Sequence, residues 1–344
     1  MLASKWIKIA GTFPPTLNKV NDPAYLKENE SPAATGLDCN KPTYLAAGTV
    51  PTGTARIAKT YTIGATTYYW MYNRLWRWAS TQLTYGAPEY KAIFYPQGLG
   101  SIDFLEDAQN ILTVIPFGGA LAVLKSTGGY VISNATSQDA NFVKSDIIQE
   151  IAIDSAANAV ELDGIVYVCN TTGLYAVAPN GEVVELTQPL RTSIAPFASA
   201  ALTADYQKKW IIGGSSFVYD VNNKLFFDYS SAAFSYTSPT LIQRKRGMEA
   251  VPFSVDAVAI EYAFGSVAEG SVTLETNVGG RGWGEPQTIK FDAEDDTRDR
   301  VMCQLENPRN GRSFALRLTN LSSNVLIKNI YVSAADYKLE GLSE

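Results

Sequence analysis

The chain has 344 residues and a formal net charge of −6, from 28 lysines and arginines against 34 aspartates and glutamates. This length allows two hydrophobic cores, because single cores stop growing near about 250–300 residues, and the acidic balance excludes a general binder of nucleic acid or membrane surfaces. Histidine is absent, which removes the commonest general base, the Ser–His and Cys–His nucleophile pairs and imidazole metal ligands. No apolar run approaches the roughly 20 residues of a membrane span, so we expect none.

Residues 1–55 contain spaced prolines among many Asn, Thr, Gly and Ala residues. Proline lacks a backbone donor and restricts the residue before it, so this composition predicts an extended N-terminal arm in which Lys5 to Ala10 forms one short strand. Two interpretations stay open. The arm is either a poorly ordered end, or it completes the last blade of the sheets that follow or lies across a neighbouring subunit.

Residues 56–235 repeat one pattern, an apolar run, a glycine turn and a second run opened by an aromatic residue. It is clearest from Gly164 to Leu186, where Thr-Thr-Gly and Pro-Asn-Gly separate three short runs rich in Val, Ile and Tyr. The marker aromatics are Trp76, Tyr130, Tyr175 and Tyr219, at intervals of 54, 45 and 44 residues. This period is typical of four-stranded propeller blades. We therefore predict a propeller-like repeat domain of four to five blades.

Two stretches of this region deserve separate predictions. In the first blade, Thr60 to Asn73 and Leu75 to Ser80 are predicted to form the first pair of strands, and Lys91 to Phe94 a third. Apolar spacing from Asp139 to Ile153 is compatible with one helical face or with the outer strand of a blade, and both interpretations stay open.

Residues 236–252 are predicted to be a linker, whose basic run Arg244-Lys245-Arg246 is more typical of a solvated loop or a subunit contact than of a nucleic-acid site. From 253 to 344 the apolar alternation becomes longer and more regular, and Gly, Pro and Asn turns separate six predicted strands. These are Phe253–Phe264, Ser271–Thr276, Thr288–Phe291, Val301–Leu305, Ser313–Leu318 and Val325–Ser333. Together they predict a C-terminal β-sandwich, so the expected fold class is all-β throughout.

Clustered carboxylates are the first candidates for chemistry. Asp292, Glu294, Asp295 and Asp296 offer oxygen ligands for calcium, but they lack the spacing of an EF-hand loop and are predicted to be a solvated loop. Asp103, Glu106 and Asp107 would supply the pair of carboxyl groups that glycoside hydrolysis needs if two of them converged. The default interpretation is that they are charges on the protein surface. The three cysteines, Cys39, Cys169 and Cys303, are widely separated and indicate neither a metal site nor a disulfide framework.

Two further groups of side chains suit recognition. Two predicted strands of the C-terminal domain are bracketed by arginines, namely Arg298, Arg300, Arg309, Arg312 and Arg317. Guanidinium groups suit subunit interfaces and phosphates alike. We favour a subunit interface. The aromatic cluster consists of Tyr68, Tyr69, Trp70, Tyr72, Trp76 and Trp78. The cluster would serve sugar stacking or a protein interface. The alternative is that at least every second residue of the cluster fills the space between neighbouring blades. We predict no catalytic residue, no metal or cofactor site, and no enzymatic activity.

Four segments of the chain carry local motifs. Gly173 to Arg191 has a Gly-aromatic strand, an Asn-Gly turn and a Leu-Thr-x-Pro stretch. Val272 to Glu285 carries a Gly-Gly-x-x-Trp hairpin, and Arg309 to Asn320 and Val325 to Tyr337 form a last pair of segments. In this order, the segments resemble those of tail tubular or nozzle proteins and packaged-DNA stabilisation proteins of short-tailed bacteriophages, in which the last pair is the terminal hairpin. The resemblance covers roughly residues 60–335.

The resemblance implies a structural virion protein, made in the bacterial host cytoplasm, that forms a homo-oligomeric ring in the phage tail. A hexamer is implied, with the adaptor and portal rings and other tail or fibre proteins as partners. Double-stranded DNA would be retained by the ring and conducted through its channel during ejection. The alternative function is a carbohydrate-binding or carbohydrate-cleaving propeller that uses the Tyr and Trp side chains for stacking and a carboxylate pair for chemistry.

Overall fold

A computed structural model describes residues 5–10, 16–17, 30–31, 33–35, 37, 39, 45–55, 58–63, 65–86, 100–188, 190, 200–229, 233–242, 253–264, 269–292 and 300–336. The chain divides into two compact units. The propeller-like unit contains residues 51–216 and 220–222, and the sandwich unit contains residues 1–50, 217–219 and 223–344.

The described residues form strands with almost no helix. The first strands are β1 (Lys5–Ala10), β2 (Thr16–Leu17), β3 (Glu30–Ser31), β4 (Ala33–Thr35), β5 (Lys59–Ile63), β6 (Thr66–Met71), β7 (Arg74–Ala79), β8 (Gln82–Tyr85), β9 (Gly100–Asp103), β10 (Ile111–Phe117), β11 (Ala120–Lys125), β12 (Gly129–Ser133), β13 (Val143–Lys144) and β14 (Ala159–Leu162). The later ones are β15 (Ile165–Asn170), β16 (Gly173–Val177), β17 (Val183–Glu185), β18 (Leu202–Asp205), β19 (Trp210–Gly213), β20 (Phe217–Asp220), β21 (Leu225–Asp228), β22 (Ser235–Thr237), β23 (Phe253–Phe264), β24 (Glu269–Val278), β25 (Gln287–Asp292), β26 (Arg300–Gly311), β27 (Phe314–Thr319) and β28 (Val325–Asp336). Two short 3₁₀ helices, Gln149–Ile151 and Ala156–Asn158, lie between β13 and β14.

The propeller-like unit is built from successive antiparallel sheets. The first blade has the order β5-β6-β7-β8-β9, the second β10-β11-β12-β13 and the third β14-β15-β16-β17, and β18 pairs with β19 to begin a fourth. Thr54, which precedes the first blade, makes two backbone hydrogen bonds with Ala204 of β18, at 2.9 and 2.7 Å. The predicted fold class is confirmed, because the chain is all-β with propeller-like sheets followed by a C-terminal β-sandwich.

Strand β11 shows what stacks the blades. All six of its residues are buried. Because successive side chains of a strand point to opposite faces of the sheet, these residues are shared between the two faces of the blade. Leu121 and Val123 pack with Trp76 of the first blade, whereas Ala122 and Leu124 pack with Val168 of the third. A central blade is therefore apolar on both faces, as expected for sheets that bury their faces only against one another.

Tight turns at one end of two neighbouring blades depend on glycine. Gly118 and Gly119 join β10 to β11 with φ of +49° and +86°, and Asp163 and Gly164 join β14 to β15 with φ of +52° and +78°. A Cβ atom on Gly118 would clash with Pro179 and lie 3.1 Å from the carbonyl oxygen of Gly164. Glycine therefore serves both the positive φ and the close approach of the two blades.

The sandwich unit has two packed sheets. One has the order β1-β28-β23-β26, and the other runs β20-β21-β4-β22-β27-β24-β25. The rings of Tyr262 on β23 and Phe291 on β25 lie 4.7 Å apart across the two layers. All six strands predicted from residue 253 onward lie within or overlap an observed strand, with β23 matching Phe253–Phe264 at both ends.

The N-terminal arm belongs to the sandwich unit. The predicted strand Lys5–Ala10 is present as β1, but it pairs with the long terminal strand β28, from Lys5 opposite Ala334 to Ala10 opposite Ile330, rather than with a blade. Strand β4 pairs with β22 on one side and, in parallel, with β21 on the other, where Thr35 lies opposite Asp228. The arm therefore also adds a strand beside β21, the last strand of the repeat region. The observed division into units thus differs from the predicted succession of arm, propeller, linker and sandwich, because backbone pairing joins the arm to the end of the chain.

Two predictions for the first blades have different outcomes. Thr60 to Asn73 was predicted as one strand, but it contains two antiparallel strands, β5 and β6, with Ile63 opposite Thr66 at the turn. Lys91 to Phe94 lies outside the described residues, and Gln82–Tyr85 forms β8, which follows β7. In the stretch from Asp139 to Ile153, Val143–Lys144 is the outer strand of the second blade and Gln149–Ile151 is a 3₁₀ turn. No helix among the described residues is long and apolar enough to cross a bilayer.

Candidate functional site

A cavity of about 260 Å³ lies where the first three blades meet in the propeller-like unit. The first blade contributes Tyr69 and Trp78, the second contributes residues 112–116 of β10, and the third contributes Ala159 to Glu161 of β14. Ala55, Ala58 and Ala156 complete the lining. Both β10 and β14 are edge strands of their sheets, so each is paired with another strand of its sheet on one side.

The aromatic cluster is divided between this cavity and the core. Tyr69 lies directly opposite Trp76 in the β6–β7 register, so both side chains share one face of the first blade. Trp76 is fully buried against the second blade, and its indole N–H donates to the carbonyl oxygen of Met71 at 2.9 Å. Trp78 and Tyr69 are half-buried at the cavity, with ring centroids 4.0 Å apart and an angle of 20° between their planes.

The other members of the cluster have separate positions. Tyr68 is buried, and Trp70 contacts Tyr61 edge-on with a centroid distance of 6.3 Å. The Tyr72 hydroxyl accepts a hydrogen bond from the backbone N–H of Gly119 at 3.0 Å, and burial is the main cause that raises the pKa of Tyr72. Space-filling between blades therefore accounts for much of the cluster, and Tyr69 and Trp78 line the cavity while they also pack against the core of the first two blades.

Glu161 is the acidic residue of the cavity, and sequence reasoning did not single it out. Its Oε1 accepts a hydrogen bond of 2.8 Å from the backbone N–H of Gly164 in the following turn. The turn therefore holds the carboxylate at the cavity wall. The alternating pattern of β14, Ala-Val-Glu-Leu, does place this side chain on the opposite face from Val160, but only the packing of three blades brings it close to aromatic rings.

The carboxylates Asp103, Glu106 and Asp107 lie elsewhere, in the connection from β9 to β10. Lys125 has a fully buried side chain, and its Nζ pairs with Asp107 and donates to the carbonyl oxygen of Phe104 at 3.0 Å. Lys144 pairs with Glu106 and donates to the carbonyl oxygen of Asp103 at 3.1 Å. Glu106 and Asp107 therefore tie the loop to the second blade, whereas the carboxylate of Asp103, at the end of β9, accepts a hydrogen bond of 2.8 Å from the Gln82 side chain of the first blade.

Protonation of this cluster differs from that of a glycosidase acid. Hydrogen bonding from Lys144 lowers the pKa of Glu106. Burial acts to raise the pKa of Asp107, but hydrogen bonds from Lys125 and Thr127 outweigh it and leave that pKa below its usual value. A general acid for glycoside cleavage needs a raised pKa, so neither carboxyl is suited to that role.

Two of the arginines predicted as one set, Arg300 and Arg317, lie on different sheets of the sandwich unit. Arg317 makes two hydrogen bonds with Glu275, at 2.8 and 2.7 Å, and its guanidinium lies 4.6 Å from the Trp283 ring centre. Arg300 lies over Tyr331, at 4.7 Å, in the other sheet of the sandwich. Arg298 and the side chain of Arg309 lie outside the described residues, as do the run from Arg244 to Arg246 and the acids Glu294 to Asp296.

The cysteines and metal-ligand candidates add no site. Cys39 and Cys169 are buried, Cys303 is half-buried, and none of the three forms a disulfide. Burial raises the pKa of Cys169 to about 11, which keeps the thiol protonated and unreactive at neutral pH. Within the part of the chain that the structure describes, no three Cys, Asp or Glu side chains are grouped so that they could hold a metal ion.

Comparisons with known proteins give weak similarities only. No protein-family model matches the chain, and no curated protein sequence does. One similar solved structure is an exo-β-1,3-galactanase from Phanerochaete chrysosporium with galactose, at 12% identity over 81% of this chain and 69% of that one, with a TM-score of 0.20. A Bacillus thuringiensis Cry1Da tryptic core variant matches at 11% identity over 84% of this chain and 53% of its own, with a TM-score of 0.21. A structure titled "Glycoside hydrolase" matches at 11% identity over 82% and 99%, with a TM-score of 0.22.

These matches correct one expectation from the sequence. The chain was predicted not to be an enzyme, whereas two of the three structures just described are glycoside hydrolases by their titles. The prediction followed from the resemblance to structural virion proteins and from the missing histidine, and carboxylate chemistry needs no histidine. We withdraw it, and TM-scores near 0.2 assign no reaction in its place.

Proposed function

We propose that this chain is a structural virion protein of a short-tailed bacteriophage, and that it forms a ring in the tail which retains the packaged genome and conducts it during ejection. The observation that carries the proposal is the order of the resembling segments along the chain, two of which are hairpins whose internal contacts depend on the motif residues themselves.

The first hairpin runs from Gly173 through β16 and β17 to Thr187. Its turn has Gly181 at a φ of +87°, as the Asn-Gly motif requires. Thr187 is fully buried, and its hydroxyl accepts a hydrogen bond of 3.1 Å from the backbone N–H of Leu174. A Cβ atom on Gly173 would clash with that hydroxyl. Gly173 at the start of the motif and Thr187 near its end therefore pack directly against each other.

The second hairpin follows β24. Gly279, Gly280 and Gly282 have φ of +69°, +71° and +95°, which glycine adopts without strain. The turn brings Trp283 back opposite Asn277, and the Trp283 ring then lies against Arg317. In this segment too, the spacing of the motif serves a specific packing contact.

Subunit contacts in a ring require an adhesive surface, and strand β26 of the sandwich unit is the candidate that we propose. Strand β26, twelve residues long, is an edge of its sheet, and the unpaired backbone groups of an edge strand can pair with another chain. Met302 on this strand is 62% exposed. The net charge of −6 also supports the proposal, because a DNA conduit that neutralised many phosphates would bind its cargo and slow its passage.

Antibody labelling of purified particles of the virus that carries this gene, viewed by electron microscopy, tests the proposal. We expect label confined to the tail, and protein present in the particle by mass spectrometry. Accessible tails without label, together with absence of the protein from the particle, would refute it.

Native mass spectrometry tests the ring contact separately. Met302→Lys is expected to abolish or weaken assembly, because it places a charge on the edge strand. Val184→Lys, at a residue that is 48% exposed in the propeller-like unit, is the matched control. Equal assembly of the two variants would contradict the assignment of β26 as the contact.

A further inference from the structure

We propose that the cavity between the first three blades binds a single pyranose ring of a saccharide. This inference rests on the geometry of the propeller-like unit and is independent of the virion proposal. Glu161, Tyr69 and Trp78 are the residues that we assign to recognition.

The size of the cavity sets the size of the ligand. Pockets for drug-sized molecules have volumes of about 300–1,000 Å³, and this cavity, at about 260 Å³, is just below that range. It therefore suits one six-membered ring with its substituents. A longer saccharide would have to enter by one terminal residue.

The aromatic pair gives the cavity a rigid apolar wall. Each blade strand that carries Tyr69 or Trp78 is paired on both sides, and the two rings stack on each other at 4.0 Å. Side chains fixed in this way lose little conformational entropy on binding. The apolar C–H face of a pyranose is flat and matches such a wall, as the amphipathic rings of Tyr and Trp match half-polar ligands generally.

Polar groups line the rest of the cavity. The Glu161 carboxylate is oriented by Gly164, and carboxylates accept hydrogen bonds from hydroxyl groups. Thr113 and the backbones of two edge strands, β10 and β14, are also in the lining. An edge strand has backbone groups on its outer side that are not used in its sheet. The carboxylate of Glu161 in this lining would repel a phosphate, so the arrangement favours a neutral polyol.

The test uses the full chain and a panel of methyl glycosides, namely α- and β-glucoside, galactoside, mannoside and N-acetylglucosaminide, with isothermal titration calorimetry and saturation-transfer NMR. We expect at least one glycoside to bind, with saturation strongest on ring C–H protons. Trp78→Ala and Glu161→Gln should each weaken binding by roughly tenfold or more, the effect of removing a buried anchor.

A space-filling variant protects the test against misfolding. Ala156→Leu adds bulk at an exposed position of the cavity lining and should abolish binding without removing a core contact. Ala157→Leu, exposed in the same 3₁₀ helix but outside the lining, should bind like the unaltered chain. Trp70→Ala is the matched aromatic control, since Trp70 lies outside the lining.

Three outcomes would overturn the proposal. The first is that no glycoside of the panel binds the unaltered chain at millimolar concentration. The second is that binding persists unchanged in Ala156→Leu. The third is that choline binds at this cavity while the glycosides do not, which would show that the aromatic wall selects a cation instead.

Discussion

Replacing Asp107 with asparagine tests how much the propeller-like unit depends on one buried charge. Lys125 has no exposed side-chain surface, and Asp107 is 12% exposed. Removing one partner of a buried ion pair costs about 3–5 kcal/mol, because the other charge is left uncompensated. Asparagine keeps a hydrogen-bond acceptor, and the carbonyl oxygen of Phe104 still accepts from Lys125. We therefore expect a loss of about 3 kcal/mol in unfolding free energy, at the lower end of that range.

The matched control is Glu106→Gln in the same loop. Glu106 and its partner Lys144 have side-chain exposures of 47% and 29%, and exposed ion pairs contribute about 0–1 kcal/mol. Glutamine also keeps an acceptor for the Tyr130 hydroxyl, which is 3.1 Å from Glu106. Urea unfolding, followed by tryptophan fluorescence, should therefore separate two variants that differ in burial of the pair. Equal losses, or a loss below about 1 kcal/mol for Asp107→Asn, would refute the reasoning.

The same pair has a predictable pH dependence. The pKa of Asp107 is lowered in the folded chain relative to its ordinary value of 3.8, so the unfolded chain binds the proton more readily. Stability from this group is therefore present above about pH 4 and is lost as pH falls through the folded pKa. The stability gap between the unaltered chain and Asp107→Asn should shrink below pH 4. A gap that stays constant from pH 7 to pH 3 would contradict this assignment.

Two further predictions address packing and reactivity. In thermal unfolding, Gly118→Ala should destabilise the chain by about 1–3 kcal/mol more than Gly181→Ala. Both glycines have positive φ, but an added Cβ atom would clash with Pro179 at Gly118 and would have no neighbour within 4 Å at Gly181. Iodoacetamide at pH 8 should modify Cys303 and spare Cys169, because burial raises the pKa of Cys169 to about 11. Peptide mass spectrometry measures both modifications. Rapid modification of Cys169 in the folded chain would contradict the burial argument.

Much of the fold follows from local pattern. Strand β23 was predicted at its observed bounds because twelve residues of apolar alternation are bracketed by turn-forming sequence. Strand β8, Gln-Leu-Thr-Tyr, was missed because four residues with only two strongly apolar side chains carry little periodicity of their own. It forms because β7 and β9 pair with it on both sides.

Contacts distant in the sequence were beyond such reasoning. Lysine is almost never fully buried unless it is paired, and the local sequence at the end of β11 does not indicate a partner for Lys125. The ion pair forms because the loop after β9 folds over that strand and supplies Asp107. Pairing of β1 with β28 likewise joins residues more than 300 positions apart, a distance over which periodicity carries no information.

The burial patterns of consecutive strands nevertheless contain a signal for the cavity. Strand β11 is buried at every position, whereas β10, the first strand of the same blade, alternates single buried residues with pairs of half-buried ones. The apolar sequence of β10, Ile-Leu-Thr-Val-Ile-Pro-Phe, would permit full burial. Its partial exposure therefore reflects the space beside it, and not its composition. In a repeat of stacked sheets, a first strand that is apolar but only partly buried indicates a space between neighbouring blades. The cavity lined by Tyr69, Trp78 and Glu161 is that space.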